Sequence, residues 1–299
     1  MIHGILPVDK PGDISSAQVV RYVKKLEGVW KTGHMGTLDP FATGLLLVGV
    51  NKGTKLSRFF LAGSKRYTAR LHLGIETDTL DRTGSVVEEL PLPSSIDDQV
   101  ICRVVEQFRG LHQQVPPVFS ALKHNGKPLY RYAREGKAVE KPPRDMEIFD
   151  IRVERVDLPY IDIDVTCSGG TYIRTLARDI GKKLGACAHL AELRRTESCG
   201  FSVEDGVDFK SVVQKEISCL EKNTITLSQA LSFLPAVKAD PGMEKKVKHG
   251  QRLSFKDGLP EPGPTENRLR VIDRKGRLSA VVKFEASSGK FNYCCVFSA

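Results

Sequence analysis

Long apolar stretches are missing from this 299-residue sequence. The longest aliphatic run, Leu45 to Val50, falls far short of the roughly 20 residues a membrane helix needs, so a helix spanning a bilayer is excluded. The opening segment, Met1 to Gly12, carries only a short apolar patch broken by Pro7 and Asp9, which is no secretory core, and a cytoplasmic protein is the expectation. The seven cysteines, at 102, 167, 187, 199, 219, 294 and 295, contain no C-x-x-C pair, and the seven histidines have no ligand spacing. Reduced, mostly buried thiols and no bound metal are therefore expected. Internal repeats are also missing. Acid is in short supply: 36 Asp/Glu stand against 45 Lys/Arg, a formal charge of +9. That excess points to a polyanionic partner, with RNA, DNA and acidic membrane surfaces all open on charge alone.

What is present reads as one large mixed domain followed by a small one, as a chain of this length tends to divide. Gly4 to Lys10 predicts a short strand, and Ser15 or Ser16 caps a helix through Glu27 with Val19, Val20, Val23 and Leu26 on its buried side. Leu45 to Val50 predicts a buried strand. Lys65 to Leu73 alternates, with Tyr67, Ala69, Leu71 and Leu73 on one face. Ser94 to Gly110 predicts a helix with Ile96, Val100, Val104 and Phe108 in a stripe. Glu147 to Val156 and Tyr160 to Cys167 predict two strands, and Gly169-Gly170 opens a helix that buries Ile173, Leu176, Ala177 and Ile180. Helices mixed with alternating strands give an α/β (α+β mixed-sheet) class.

Two segments depart from that pattern. Between Gln113 and Arg144 prolines and glycines break the periodicity, and Ser120 to Arg144 holds seven basic residues against Glu135 and Glu140, with Tyr130 and Tyr132 interleaved. A surface excursion that grips nucleic acid and a merely solvated loop both fit this composition. From Pro235 onward short strand-like pieces alternate with Gly-Pro turns, predicting a small all-β module over 235–299 after a larger domain over 1–234. The module carries 13 Lys/Arg and 7 Asp/Glu.

The most informative segment is Gly33-His34-Met35-Gly36-Thr37-Leu38-Asp39-Pro40-Phe41-Ala42-Thr43-Gly44. Polar groups and glycines there predict a loop built to present Asp39, although Asp-Pro is also an ordinary helix start. This segment resembles the signature of the TruB family of tRNA pseudouridine synthases. Three further patches agree in the family's order: Lys10-Pro11-Gly12 with Ser15-Ser16; Lys65-Arg66-Tyr67 with Gly74 to Asp81; and Gly170-Thr171-Tyr172-Ile173-Arg174 leading to His189 to Arg195. Lys248 to Leu253 followed by Val271 to Gly276 resembles a PUA domain, a β-barrel-like RNA-binding module. Two positions depart from the family pattern: Met35 replaces a hydroxyl residue and Gly169 a basic one.

The resemblance implies a pseudouridine synthase fold and isomerisation of uridine 55 in the T-loop of tRNA by an enzyme working alone; an isomerisation balances without a cofactor or metal, and a monomer is the default expectation. The resemblance implies catalytic roles for Asp39 at the ribose, Tyr67 on the base and Arg174 beside Asp39. It also implies substrate-binding roles for Lys10, His34, Asp81, Tyr172 and Leu193, with Asp81 accepting from the Tyr67 hydroxyl. An aspartate is ionised near neutrality and can act at C1′, and a guanidinium keeps and aims it. The target must first leave its stack, as base-modifying enzymes require. The catalytic subunit of a guide-RNA particle, to which the family is related, and a non-catalytic RNA-binding protein remain as alternatives.

Overall fold

The computed structural model describes residues 2–215, 217–261, 263 and 266–297, with side chains described outside 217–219. Seven strands build the frame: β1 (Gly4–Lys10), β2 (Thr43–Val50), β3 (Lys65–Leu73), β4 (Gly110–Gln114), β5 (Arg144–Asp157), β6 (Tyr160–Cys167) and β7 (Ala188–Ser198). They lie in the order β1, β2, β7, β3, β6, β5, β4. All neighbours in that row pair antiparallel except β2 and β7, which meet in parallel at Arg194↔Thr43 and Arg195↔Gly44. Gly44 makes that approach possible: its φ is +101°, and a Cβ would lie 2.7 Å from the Arg195 backbone nitrogen.

The predicted alternation of β3 holds, with Lys65, Tyr67, Ala69, Leu71 and Leu73 all buried. Their face packs beneath α3 (Ile173–Lys183), whose Ile173, Leu176, Ala177 and Ile180 are buried as the sequence predicts. Helix α1 (Ser16–Lys24) starts at a capping box in which Ser15 and Gln18 satisfy each other's backbone amides, and it stops three residues before the expected Glu27. Helix α2 (Asp98–Glu106) is shorter than Ser94 to Gly110, because Ile96 closes a turn onto Pro93 and Asp97 caps the helix by accepting from the Val100 amide. Its fully buried residues are Ile101 and Val105, one position beyond the Val100 and Val104 expected.

The Gln113 to Arg144 excursion contains a two-stranded hairpin, Lys123–His124 with Lys127–Pro128, and a short helix, Leu129–Arg134. Asn125 and Gly126, both at positive φ, turn the hairpin. The C-terminal segment forms a separate sheet in the order β8 (Ala236–Lys238), β9 (Arg268–Ile272), β10 (Leu278–Glu285), β11 (Lys290–Val296). Two expectations change here. The segment is not all-β, since Asp240 caps a helix, α4 (Pro241–Lys248), by accepting from the Met243 amide. The strand-like Arg252 to Phe255 makes a single bridge, Leu253↔Phe291, and among the described residues the pairings form an open row and not a closed barrel.

The small sheet has its own core around Val271, Val282 and Phe291, yet Leu278, Val281 and Phe297 join the cluster of Ile5, Leu45 and Phe60 in the large sheet. Three cations complete this seam on main-chain oxygens: Lys52 on Phe297, Lys55 on Val296 and Arg58 on Cys294. Six cysteines are free thiols; the Cys219 side chain lies outside the described residues.

Candidate active site

No helix follows Asp39, so its reading as a helix cap fails; the residue sits in irregular chain between the short strand Thr32–His34 and β2. The glycines leave this loop well anchored. Ser16, nearly fully buried on α1, donates from its hydroxyl to the Leu38 carbonyl and accepts from the Leu38 amide, both at 2.9 Å. The Lys10 ammonium reaches the Pro40 carbonyl at 3.0 Å. On the other flank the Arg195 guanidinium donates to Gly36 O (3.2 Å) and Thr37 O (3.4 Å). Residues on both sides of the carboxylate are thus fixed by groups from β1, α1 and β7.

Arg174 rises from the first turn of α3 and meets Asp39 with Nε 2.9 Å from Oδ2 and Nη2 3.3 Å from Oδ1. Its remaining contacts are the Thr79 carbonyl (2.9 Å), the Phe119 carbonyl (2.8 Å) and Asp81 Oδ2 (3.4 Å). Hydrogen bonds to the two carbonyls and to Asp39 Oδ1 fix the guanidinium's orientation, while Nε meets Asp39 as an ion pair without hydrogen-bond alignment. The Asp39 side chain keeps 31% of its surface while Arg174 keeps 5%, which leaves the carboxylate open to a ligand and its partner sealed. Burial pushes the Asp39 carboxyl above its ordinary value; Arg174 opposes that shift, Asp81 adds to it, and Lys10 opposes it more weakly.

Tyr67 is buried, and burial pushes its phenol upward against the pull of Arg195. The expected Tyr67 to Asp81 hydrogen bond is replaced. Asp81 Oδ1 accepts instead from Thr79 Oγ1, Thr83 N and Thr83 Oγ1, while the group facing the Tyr67 hydroxyl is Arg195. Lys10 also differs from expectation: it is fully buried, and its three protons go to the carbonyls of Pro11, Ile14 and Pro40, so it braces the loop and has no donor left for a ligand. Burial lowers it to about 8. Tyr172 precedes α3, its main chain paired with the Gln114 side-chain amide, and its phenol stands beside Ser120, Arg174 and Asp39. His34 ends the strand Thr32–His34, and its Nδ1 is buried without a partner. Leu193, opposite Ala69 on β3, reaches a cleft of about 520 Å³ that is also lined by Phe41, Thr43, Arg70, Arg82 and Arg194.

Gly169 has a steric reason to lack a side chain, since a Cβ would strike the Leu61 carbonyl oxygen and lie 2.8 Å from the Ala62 carbonyl carbon. Sequence reasoning missed Ser16, Lys65 and Arg195, all nearly fully buried. Serine, lysine and arginine are ordinary surface residues, and only the alternation of β3 and of Leu193-Arg194-Arg195 on β7 marks two of them as inward-facing.

Two family models match the chain: the N-terminal domain of TruB family pseudouridylate synthases over residues 24–173, and the tRNA pseudouridylate synthase B C-terminal domain over 174–232. The tRNA pseudouridine synthase B of Pasteurella multocida strain Pm70 is 41% identical over 258 residues, covering 85% of this chain and 83% of that protein. The enzyme of the same name from Clostridium tetani strain Massachusetts / E88 is 38% identical over 255 residues, covering 85% and 87%. Among solved structures, the Cbf5-Nop10-Gar1 complex superposes with a TM-score of 0.70 at 27% identity, covering 94% of this chain and 78% of that one. An H/ACA RNP bound to a substrate RNA containing 2′-deoxyuridine gives 0.72 at 25%, covering 99% and 85%. With Asp39 and Arg174 paired at 2.9 Å as the loop signature implies, and the two family models following one another along residues 24–232, the chain belongs to the TruB family of pseudouridylate synthases.

Proposed function

We propose that this protein converts uridine 55 in the T-loop of tRNA to pseudouridine. The observation that carries the reading is the half-open Asp39 carboxylate, clamped by a sealed Arg174 at 2.9 Å beside a buried tyrosine. Pseudouridine formation breaks the N1 to C1′ bond, turns the base and joins C5 to C1′, with the C5 proton released and N1 protonated; the atoms balance within the nucleotide. Asp39 acts at the ribose, either on C1′ or by taking a sugar proton, and Arg174 holds it ionised and aimed. Burial keeps Tyr67 protonated near neutrality, which favours stacking against the base over acting as a free phenolate. Tyr172 and Leu193 wall the nucleoside, and each stacked base returns roughly 1 to 3 kcal/mol toward extrusion.

Relatives near 40% identity carry the name of the tRNA enzyme, whereas the Cbf5-Nop10-Gar1 and H/ACA RNP structures lie at 27% and 25%, which favours a stand-alone enzyme over a guide-RNA subunit. The deciding assay incubates a T-loop stem-loop with wild type and Asp39→Asn. Wild type leaves the RNA mass unchanged and shifts one nucleoside to the retention of pseudouridine. Asp39→Asn binds the RNA, leaves its mass unchanged and shifts no nucleoside. Loss of mass would mean base excision, and full activity in Asp39→Asn would remove the carboxylate from the reaction.

A further inference from the structure

Arg194 and Arg195 are neighbours on β7 with opposite fates. Arg194 faces outward, half-exposed, and forms a two-point pair with Asp9 at 2.8 and 3.1 Å. Arg195 points inward and is 2% exposed; its guanidinium donates to the carbonyls of Leu45 at 2.7 Å, Gly36 at 3.2 Å and Thr37 at 3.4 Å, and beyond these it faces the Tyr67 hydroxyl. Among the described residues no ion pair involves it. A buried cation without an acid is costly, and packing alone would be served by an apolar side chain of similar size. Its position suggests why it is kept. Arg195 lies directly across from Tyr67 in the β3 and β7 ladder, so the two side chains share one face, and its other contacts lie two and three residues ahead of Asp39.

We infer that Arg195 is a positioning residue of the active site, fixing the Tyr67 ring and the Asp39 loop in one relation to each other. This rests on the isomerase reading. The charge works through the carbonyls of Gly36 and Thr37 on one side and the phenol oxygen on the other, without touching substrate. His34, which ends the strand leading into the same loop, lies in the same field, since burial and then Arg195 hold its imidazole below the ordinary value.

The test compares Arg195→Met and Arg195→Lys. For each, single-turnover isomerisation, affinity for the stem-loop, melting temperature and the NMR titration of His34 are measured, the last assigned with His34→Gln. Expected for Arg195→Met is a loss of about 100-fold in rate, the scale of a misplaced reacting group, with affinity within about threefold and an upward shift of the His34 midpoint. Arg195→Lys keeps the charge, but a single ammonium nitrogen cannot stand in for the three separate nitrogens that reach Leu45, Thr37 and Gly36, so its His34 midpoint stays at the wild-type value while its rate falls. Wild-type rates in Arg195→Lys, or a rate loss that follows RNA affinity alone, would overturn the inference. If Arg195→Met does not fold, Arg195→Lys decides the matter. If wild type fails to isomerise, the functional reading falls, and the His34 shift still reports whether Arg195 projects its charge into the pocket.

Discussion

Among the described residues four Lys and Arg side chains are buried, and only Arg174 has carboxylates for partners. Lys10, Lys65 and Arg195 each sit on three main-chain carbonyls, so peptide dipoles solvate each charge; Lys10 and Arg195 thereby immobilise the Asp39 loop, and Lys65 the turn from Phe60 to Gly63. This sets the pH range of activity. Asp39 works as an anion; its carboxyl is raised above the ordinary 3.8, so the anion is lost as pH falls through a value higher than for an exposed aspartate. Asp81→Asn removes one of the groups that raise it, and the acid limb of the rate profile should move to lower pH. At the other end the Lys10 ammonium, lowered to about 8, gives up a proton, and with it one carbonyl partner, as pH rises through that value. Activity should fall there, and Lys10→Arg, which stays charged, should abolish the basic limb at a reduced rate. Asp39 and Arg174 were legible in the sequence because their neighbours form a recognisable order. Lys10's bracing role was not, because a lysine's three protons can be assigned only once the carbonyls of Ile14 and Pro40 have folded around it.

At the scale of elements, strands that alternate read well and helix ends read poorly. In β3 and α3 burial follows a period the sequence states outright. In α2 a turn onto Pro93 delays the start of the helix to Asp98, capped by Asp97, and the apolar stripe moves by one position. The parallel contact of β2 with β7 was invisible for another reason: Thr43 and Arg194 are far apart in the chain, and only Gly44 hints at a close approach. Gly44→Ala should therefore be severe. A side chain there meets the Arg195 backbone and forces a residue at φ +101°, where conformation alone costs roughly 1–3 kcal/mol. Chemical denaturation should show a loss above that range, with isomerisation failing in step as the Arg195 backbone is pushed away. An unchanged midpoint would mean that β7 yields freely.

Over the whole molecule positive charge gathers at two places, the excursion between Gln113 and Arg144 and the C-terminal sheet. Lys123, Arg131, Arg134 and Lys137 stand exposed on the excursion, whereas Lys127 is paired with Glu135 at 2.5 Å. Neutralising Lys123 and Lys137 should weaken stem-loop binding and flatten the plot of log affinity against log salt by about 0.7 to 0.9 for each phosphate that no longer meets a cation, while Lys127→Gln changes the slope least. Equal slopes for all three would place the RNA elsewhere. The excursion also reaches the reaction centre, because the Phe119 carbonyl is one of the groups that aim Arg174. The C-terminal sheet is attached differently. Beside the apolar seam, Lys52, Lys55 and Arg58 hold its last residues through peptide oxygens, and a peptide oxygen is present whatever residue carries it. Mutational drift at positions such as Lys290 and Asn292, outside the shared cluster, can therefore reshape the module's surface while these cation moorings stay the same, whereas Phe297 is held to its type by the apolar seam.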